Sequence, residues 1–190
     1  MKGRESGMPA EALWASFFDA PAILAAIGLR DDDTVVDYGS GYGGFALAAA
    51  AATRGAVHAL DIEPDLVALL AARAAAAGFD ALRVRQCDFL AGDDGGLAAG
   101  SATLALAFNI LHVEQPATLL VTARRALAPG GRLAVIHWRS DIETPRGPPL
   151  AMRPRPSDVA AWATAAGFGA AQTVELGAAA PWHYGLVVAR

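Results

Sequence analysis

The chain of 190 residues is 54% hydrophobic and 18% charged, the balance of one compact domain that buries roughly 70% of the surface its unfolded chain would expose. A formal net charge of −4 argues against general affinity for nucleic acid, which wants a basic face, and apolar runs such as 102–111 are too short to cross a bilayer. The single cysteine, Cys87, excludes an internal disulfide, and the histidines at 58, 112, 137 and 183 show no metal-ligand spacing.

Residues 1–9 carry charges without the apolar stretch of a secretory signal, and they read as the disordered leader of a cytoplasmic protein. A single domain is expected over 10–190. Its first segment, 10–27, reads as an amphipathic helix with Trp14, Phe17, Ile23, Leu24 and Ile27 available to one side; the stretch 10–29 serves either packing or a lid on the cofactor side. Asp31, Asp32 and Asp33 form an exposed turn before a short inner strand, 34–38, whose Val35 and Val36 are β-branched. Gly39, Gly41 and Gly43 then let the backbone turn and approach a ligand without a Cβ in the way. An alanine-rich helix follows over 43–53, its free N–H groups directed at the loop.

Further strands are expected near 56–60, 82–86, 102–109 and 131–137, and helices near 64–77 and 116–128. The punctuation agrees: Pro64 and Pro116 suit first helical turns, Gly78 a helix stop, and Pro129-Gly130-Gly131 a sharp turn into the fifth strand. A proline- and arginine-rich stretch, 140–156, leads to a helix near 157–166 ending at Gly167. Two strands near 169–176 and 183–189 then read as an antiparallel hairpin. Alternation of this kind means a mostly parallel sheet covered on both faces.

The loop alone suits two cofactor classes, because Gly39, Gly41 and Gly44 also spell the G-x-G-x-x-G of a dinucleotide site; a turn needed only for helix–strand packing is the third reading. Asp37, two residues before the first glycine, suits a cofactor with a cationic amino-acid end better than one presenting a pyrophosphate. The run Asp37-x-Gly39-x-Gly41-x-Gly43 resembles the first motif of class I S-adenosylmethionine-dependent methyltransferases. In an open α/β sheet the ligand lies beyond the carboxyl ends of the strands. Asp61, 24 residues after Asp37, stands where both cofactor classes place an acid accepting from two ribose hydroxyls, whereas Glu63 before Pro64 reads as a helix cap.

Gln86-Cys87-Asp88-Phe89 is similar to the family's adenine motif. The resemblance implies that Asp88 accepts from the exocyclic amine, Phe89 supplies an apolar ring contact and Ile62 covers the other face; a turn residue and a core ring are the plainer readings. Phe108-Asn109-Ile110-Leu111-His112 and the 127–131 turn look like the later motifs and bring Asn109 into the cofactor set. The resemblance spans about 30–190. It implies an α/β, Rossmann-like three-layer sandwich with a mostly parallel seven-stranded sheet and a C-terminal antiparallel hairpin. Ser40 stands where many relatives have cysteine or threonine. The stretch 109–112 lacks the Asn/Asp-Pro-Pro-aromatic signature of enzymes that methylate base amines, which disfavours adenine or cytosine N-methylation.

Methyl transfer from a sulfonium needs chiefly an acceptor aligned within about 3–3.5 Å and the exclusion of water. Tyr42 can lay its ring near the sulfonium or simply pack. A hydroxyl or protonated-amine acceptor needs a base, and His112, then His137, stand at the strand ends where an acceptor would lie; both also read as structural. Trp138, Arg139 and the loop arginines Arg146, Arg153 and Arg155 suit an acceptor pocket for a carboxylate or phosphate, or a solvated loop. Since 14 of the 15 basic residues are arginine, each one is a weak signal. The expectation is a small-molecule methyltransferase using S-adenosyl-L-methionine, with no nucleic-acid or membrane partner, compatible with a homodimer, and nearest the branch that includes quinone-precursor enzymes. A protein methyltransferase, an NAD-dependent oxidoreductase and a non-catalytic cofactor-binding module stay open.

Overall fold

Residues 8–190 are described by the computed structural model, so most of the expected leader lies outside the described residues. The helix expected over 10–27 is two, α1 (Glu11–Ala15) and α2 (Ala20–Ala26). Pro21 cannot donate back into a preceding turn, and the Asp19 carboxylate accepts from the Ala22 N–H at 3.0 Å, so a new helix starts there.

The strands are β1 (Val35–Tyr38), β2 (Val57–Asp61), β3 (Leu82–Gln86), β4 (Ala102–Phe108), β5 (Leu127–Trp138), β6 (Gln172–Val174) and β7 (His183–Ala189). Among the described residues they form one seven-stranded sheet in the order β3-β2-β1-β4-β5-β7-β6. The first five are parallel, while β7 runs antiparallel to both β5 and β6. Every residue of β1 and β2 is buried, as befits inner parallel strands covered on both faces.

The helices α3 (Gly44–Ala52), α4 (Pro64–Ala76), α5 (Pro116–Ala126) and α6 (Pro156–Ala165) complete three layers. Ile23 and Leu24 of α2, Ala46 of α3 and Leu70 of α4 pack with Val35, Leu104 and Leu106 on one face. Leu119 and Leu120 of α5 and Val159 of α6 pack with Val36, Leu60 and Val135 on the other. No helix among the described residues is long and apolar enough to cross a membrane.

Two local expectations change. Pro129-Gly130-Gly131 lies inside β5 as a bulge: Ala102 pairs with Leu127, and the register then jumps so that Leu104 pairs with Arg132. Asp33 is buried, not an exposed turn residue. Its carboxylate meets Arg132 at 2.6 Å, accepts from the Arg30 N–H at 2.7 Å and takes the Thr103 hydroxyl hydrogen at 2.7 Å. One acid thus ties the turn before β1 to β4 and β5.

Candidate active site

β1 is flanked by β2 and β4, and the chain leaves β1 and β4 in opposite directions across the sheet, which makes their carboxyl ends the topological switch point. There Gly39, Gly41 and Gly43 all have positive φ. A Cβ on Gly43, at φ +84°, would stand 2.1 Å from the Leu70 Cδ1, and one on Gly41, at φ +53°, 2.8 Å from the Met8 Sδ. Helix packing and a close approach therefore both require the glycines.

Asp61 closes β2 beneath this loop. Its Oδ2 accepts from the Gly41 N–H at 2.7 Å and its Oδ1 from the Glu63 N–H at 3.0 Å, leaving each oxygen a further lone pair. Ile62 beside it is half-buried. Asp37 is buried, and its carboxyl is pushed up to about 7 by its own desolvation and by the nearby Asp61 charge.

At the end of β4, Asn109 adopts φ 54°, the left-handed region that few side chains enter. Its N–H donates to the Ile136 carbonyl at 2.7 Å. Asp37 Oδ2, the Ser40 hydroxyl and both polar atoms of the Asn109 amide are buried without a hydrogen-bond partner among the described residues. Such groups are expensive unless something else bonds them.

Asp88 is half-buried and caps the short turn Phe89–Ala91 by accepting from the Ala91 N–H at 3.0 Å. Phe89 is a buried ring, edge-on to Tyr38 with 5.5 Å between centroids. Tyr42 donates its hydroxyl to the Pro9 carbonyl at 3.1 Å, and its own carbonyl accepts from Arg73, which pairs with Glu11 at 2.5 Å. Met8 and Pro9, expected in the leader, therefore lie on the glycine loop, and Glu11 of α1 reaches α4 through its pair with Arg73.

The two histidines expected to act as bases meet. His112 Nδ1 and His137 Nε2 are 3.3 Å apart. His112 is half-buried and its pKa is lowered by burial. His137 is wholly buried, and burial, reinforced by His112, takes it down to about 3. His183, which sequence reasoning missed, opens β7 opposite Trp138. Its ring lies 4.1 Å from the Trp138 ring and 4.7 Å from that of Phe18, with both nitrogens buried and unpartnered among the described residues. Phe17 closes on Trp138 at 5.2 Å and Trp14 at 6.4 Å.

The loop arginines separate. Arg139 makes an exposed pair with Asp141, and Arg146 and Arg155 are exposed. Arg153 is buried and donates to the Pro148 carbonyl at 2.7 Å and the Arg139 carbonyl at 2.8 Å. It organises the loop. A cavity of about 500 Å³ opens beside it, lined by Ser140, Leu150, Ala151, Arg153, Arg155 and Asp158.

The donor set fits an S-adenosylmethionine-like molecule: a buried acid for an ammonium, unpartnered hydroxyl and amide groups for a carboxylate, and an acid on the next strand for a ribose. Residues 29–176 match the family described as methyltransferase domain. The chain belongs to that family. Solved methyltransferase-family structures share its fold. A SAM-dependent methyltransferase from Aquifex aeolicus is 22% identical with a TM-score of 0.80, covering 91% of this chain and 90% of that one. An S-adenosylmethionine-dependent methyltransferase from Mesorhizobium loti is 20% identical, TM-score 0.68, covering 90% and 96%. The 1,6-didemethyltoxoflavin-N1-methyltransferase from Burkholderia thailandensis, with 1,6-didemethyltoxoflavin and S-adenosylhomocysteine bound, is 22% identical, TM-score 0.67, covering 94% and 80%. No curated protein matches. The family match agrees with the methyltransferase resemblance of the Asp37-to-Gly43 motif, and the seven-stranded sheet with its antiparallel end is the expected methyltransferase arrangement.

Proposed function

We propose that this methyltransferase uses S-adenosyl-L-methionine to methylate a small molecule. The observation that carries the reading is the set of buried polar atoms without partners, Asp37 Oδ2, Ser40 Oγ and the Asn109 amide, gathered around a glycine loop. Asp37 would hold the ammonium of the cofactor, with Ser40 and Asn109 toward its carboxylate. Asp61 would take the ribose hydroxyls, and Asp88 and Ile62 the adenine. Tyr42 and the segment from Met8 would close over the loop.

When bound, S-adenosylmethionine supplies an electrophilic methyl group on a cationic sulfur. A buried carboxyl at the loop would repel a pyrophosphate, which favours this cofactor over a dinucleotide. The acceptor would enter beyond β4 and β5, near His112. The rings of Trp14, Phe17, Phe18 and Trp138 closing that end suit a compact acceptor better than a polypeptide. No partner beyond that acceptor is proposed.

Isothermal titration with S-adenosylhomocysteine and, separately, with NAD tests the cofactor. Micromolar binding of the homocysteine compound and none of NAD is expected; the reverse result would end the reading. A labelled-methyl screen over small hydroxyl and amine acceptors and over peptides tests the acceptor. Labelling confined to peptides would replace the small molecule with a protein substrate.

A further inference from the structure

Resting on that reading, the contact between the two histidines also specifies which nitrogen is free to take a proton. His137 is wholly buried, and the neighbour of its Nδ1 is the Trp138 carbonyl at 3.4 Å. A carbonyl only accepts, so Nδ1 must carry the hydrogen, and a neutral imidazole then has its lone pair on Nε2. That lone pair faces His112 Nδ1 at 3.3 Å, so His112 must donate from Nδ1, which leaves its Nε2 unprotonated. The opposite assignment would aim two lone pairs at each other across the Trp138 contact.

His137 stays neutral chiefly because it is buried, and the groups around it offer no negative charge. Burial comes first, then His112, His183 on β7 and Arg153 from the loop, all lowering its pKa, while the Trp138 carbonyl alone opposes them. Tyr184, stacked 6.3 Å away, adds no charge to pair with it. The Nε2 of the half-buried His112 has no partner among the described residues.

We infer that His137 is a positioning residue that fixes His112 in the Nδ1–H form, so that His112 Nε2 is the base for an acceptor bearing an ionisable O–H or N–H. In that step the acceptor's bond to hydrogen breaks with its electron pair left on oxygen or nitrogen, and the proton bonds to Nε2, making His112 an imidazolium. An acceptor that needs no deprotonation would have no use for the pair.

The chain has four histidines, so nitrogen NMR of protein labelled with ¹⁵N-histidine can assign each ring's tautomer. At neutral pH, His112 and His137 are both expected as Nδ1–H. His137→Gln keeps an acceptor oxygen near the lost lone pair and should preserve the His112 form. His137→Leu removes the acceptor and should release His112 to the Nε2–H form. An Nε2–H His112 in the unaltered protein, or an unchanged His112 in His137→Leu, would overturn the inference.

Titration of both variants with S-adenosylhomocysteine shows that the fold is kept. Failure of the unaltered protein to bind that compound would remove the methyl-transfer reading and leave the tautomer result to be judged by itself. With an acceptor in hand, His137→Leu should lower kcat by about 10²-fold with little change in KM, and His137→Gln should recover most of the loss; equal activity of all three proteins would refute the role.

Discussion

Asp37 combines a buried carboxyl, one oxygen without a partner and a pKa pushed up to about 7 by desolvation and by Asp61. An ammonium placed beside it reverses both causes, because the charged form then gains a counter-charge in a site of low dielectric. The bound carboxyl titrates lower than the free one, so binding releases a proton in the interval between the two values. The sign follows: affinity for S-adenosylhomocysteine is full above about 7 and falls as pH drops below it, by up to tenfold per unit until the bound carboxyl also protonates. Asp37→Asn removes the titrating group, so its binding should be weaker and nearly independent of pH. Titration calorimetry from about pH 5.5 to 8.5 in buffers of different ionisation enthalpy reads both the affinity and the released proton. A flat profile in the unaltered protein would place the ammonium elsewhere.

The glycine loop and α4 hold each other in place. A Cβ on Gly43 would overlap Leu70, which is fully buried, and would also sit at φ +84°, so Gly43→Ala should cost about 2–4 kcal/mol of stability in urea unfolding, from strain and overpacking together. Leu70→Ala alone should cost about 2–5 kcal/mol through its cavity. The double variant should cost less than the two single costs added, since the cavity admits the new methyl; strict additivity would mean that loop and helix do not touch in solution. Elements of this kind were legible in the sequence because inner parallel strands are unbroken apolar runs and because Pro64, Pro116 and Gly78 mark helix ends. The Asp37-to-Gly43 run, Asp61 and Asn109 were legible for the same local reason, each lying at a strand end. What the sequence hid depends on distant partners. Asp33 looks like the third acid of a solvated turn until Arg132, 99 residues away, reaches it, and in a chain rich in arginine that partner carries no local mark. The break between α1 and α2 coincides with Phe17 and Phe18 turning onto Trp138 and His183, distant partners that the local Asp19 cap does not reveal. His183 itself is defined by the register of β7 against β5.

Across the whole molecule the buried titratable groups set how stability responds to acid. His137 and His183 are each held down to about 3, chiefly by burial, against about 6.5 in an unfolded chain. Their folded pKa values are depressed, so the unfolded state takes up two protons that the native state refuses, and stability is lost as pH falls from about 6.5 toward 3. Asp37 works the other way: raised to about 7, it binds one proton in the native state that the unfolded chain lacks above about 4. Near pH 5 these three groups give the unfolded state about one more proton than the native state, and His58 and His112, both lowered chiefly by burial, add to that uptake, so stability should fall by at least about 1.4 kcal/mol for each unit of acidification around pH 5. Asp33, whose burial raises its pKa but whose bonds to Arg132, the Arg30 N–H and Thr103 lower it below the ordinary value, adds a further loss at the acid end of that range, as pH approaches about 4. His183→Phe keeps a ring between Phe18 and Trp138 while removing one refused proton, so the slope near pH 5 should drop by about 1.4 kcal/mol per pH unit. Urea unfolding of both proteins at four pH values across that window measures it directly, and equal slopes would mean that His183 takes its proton as readily in the fold as in the unfolded chain.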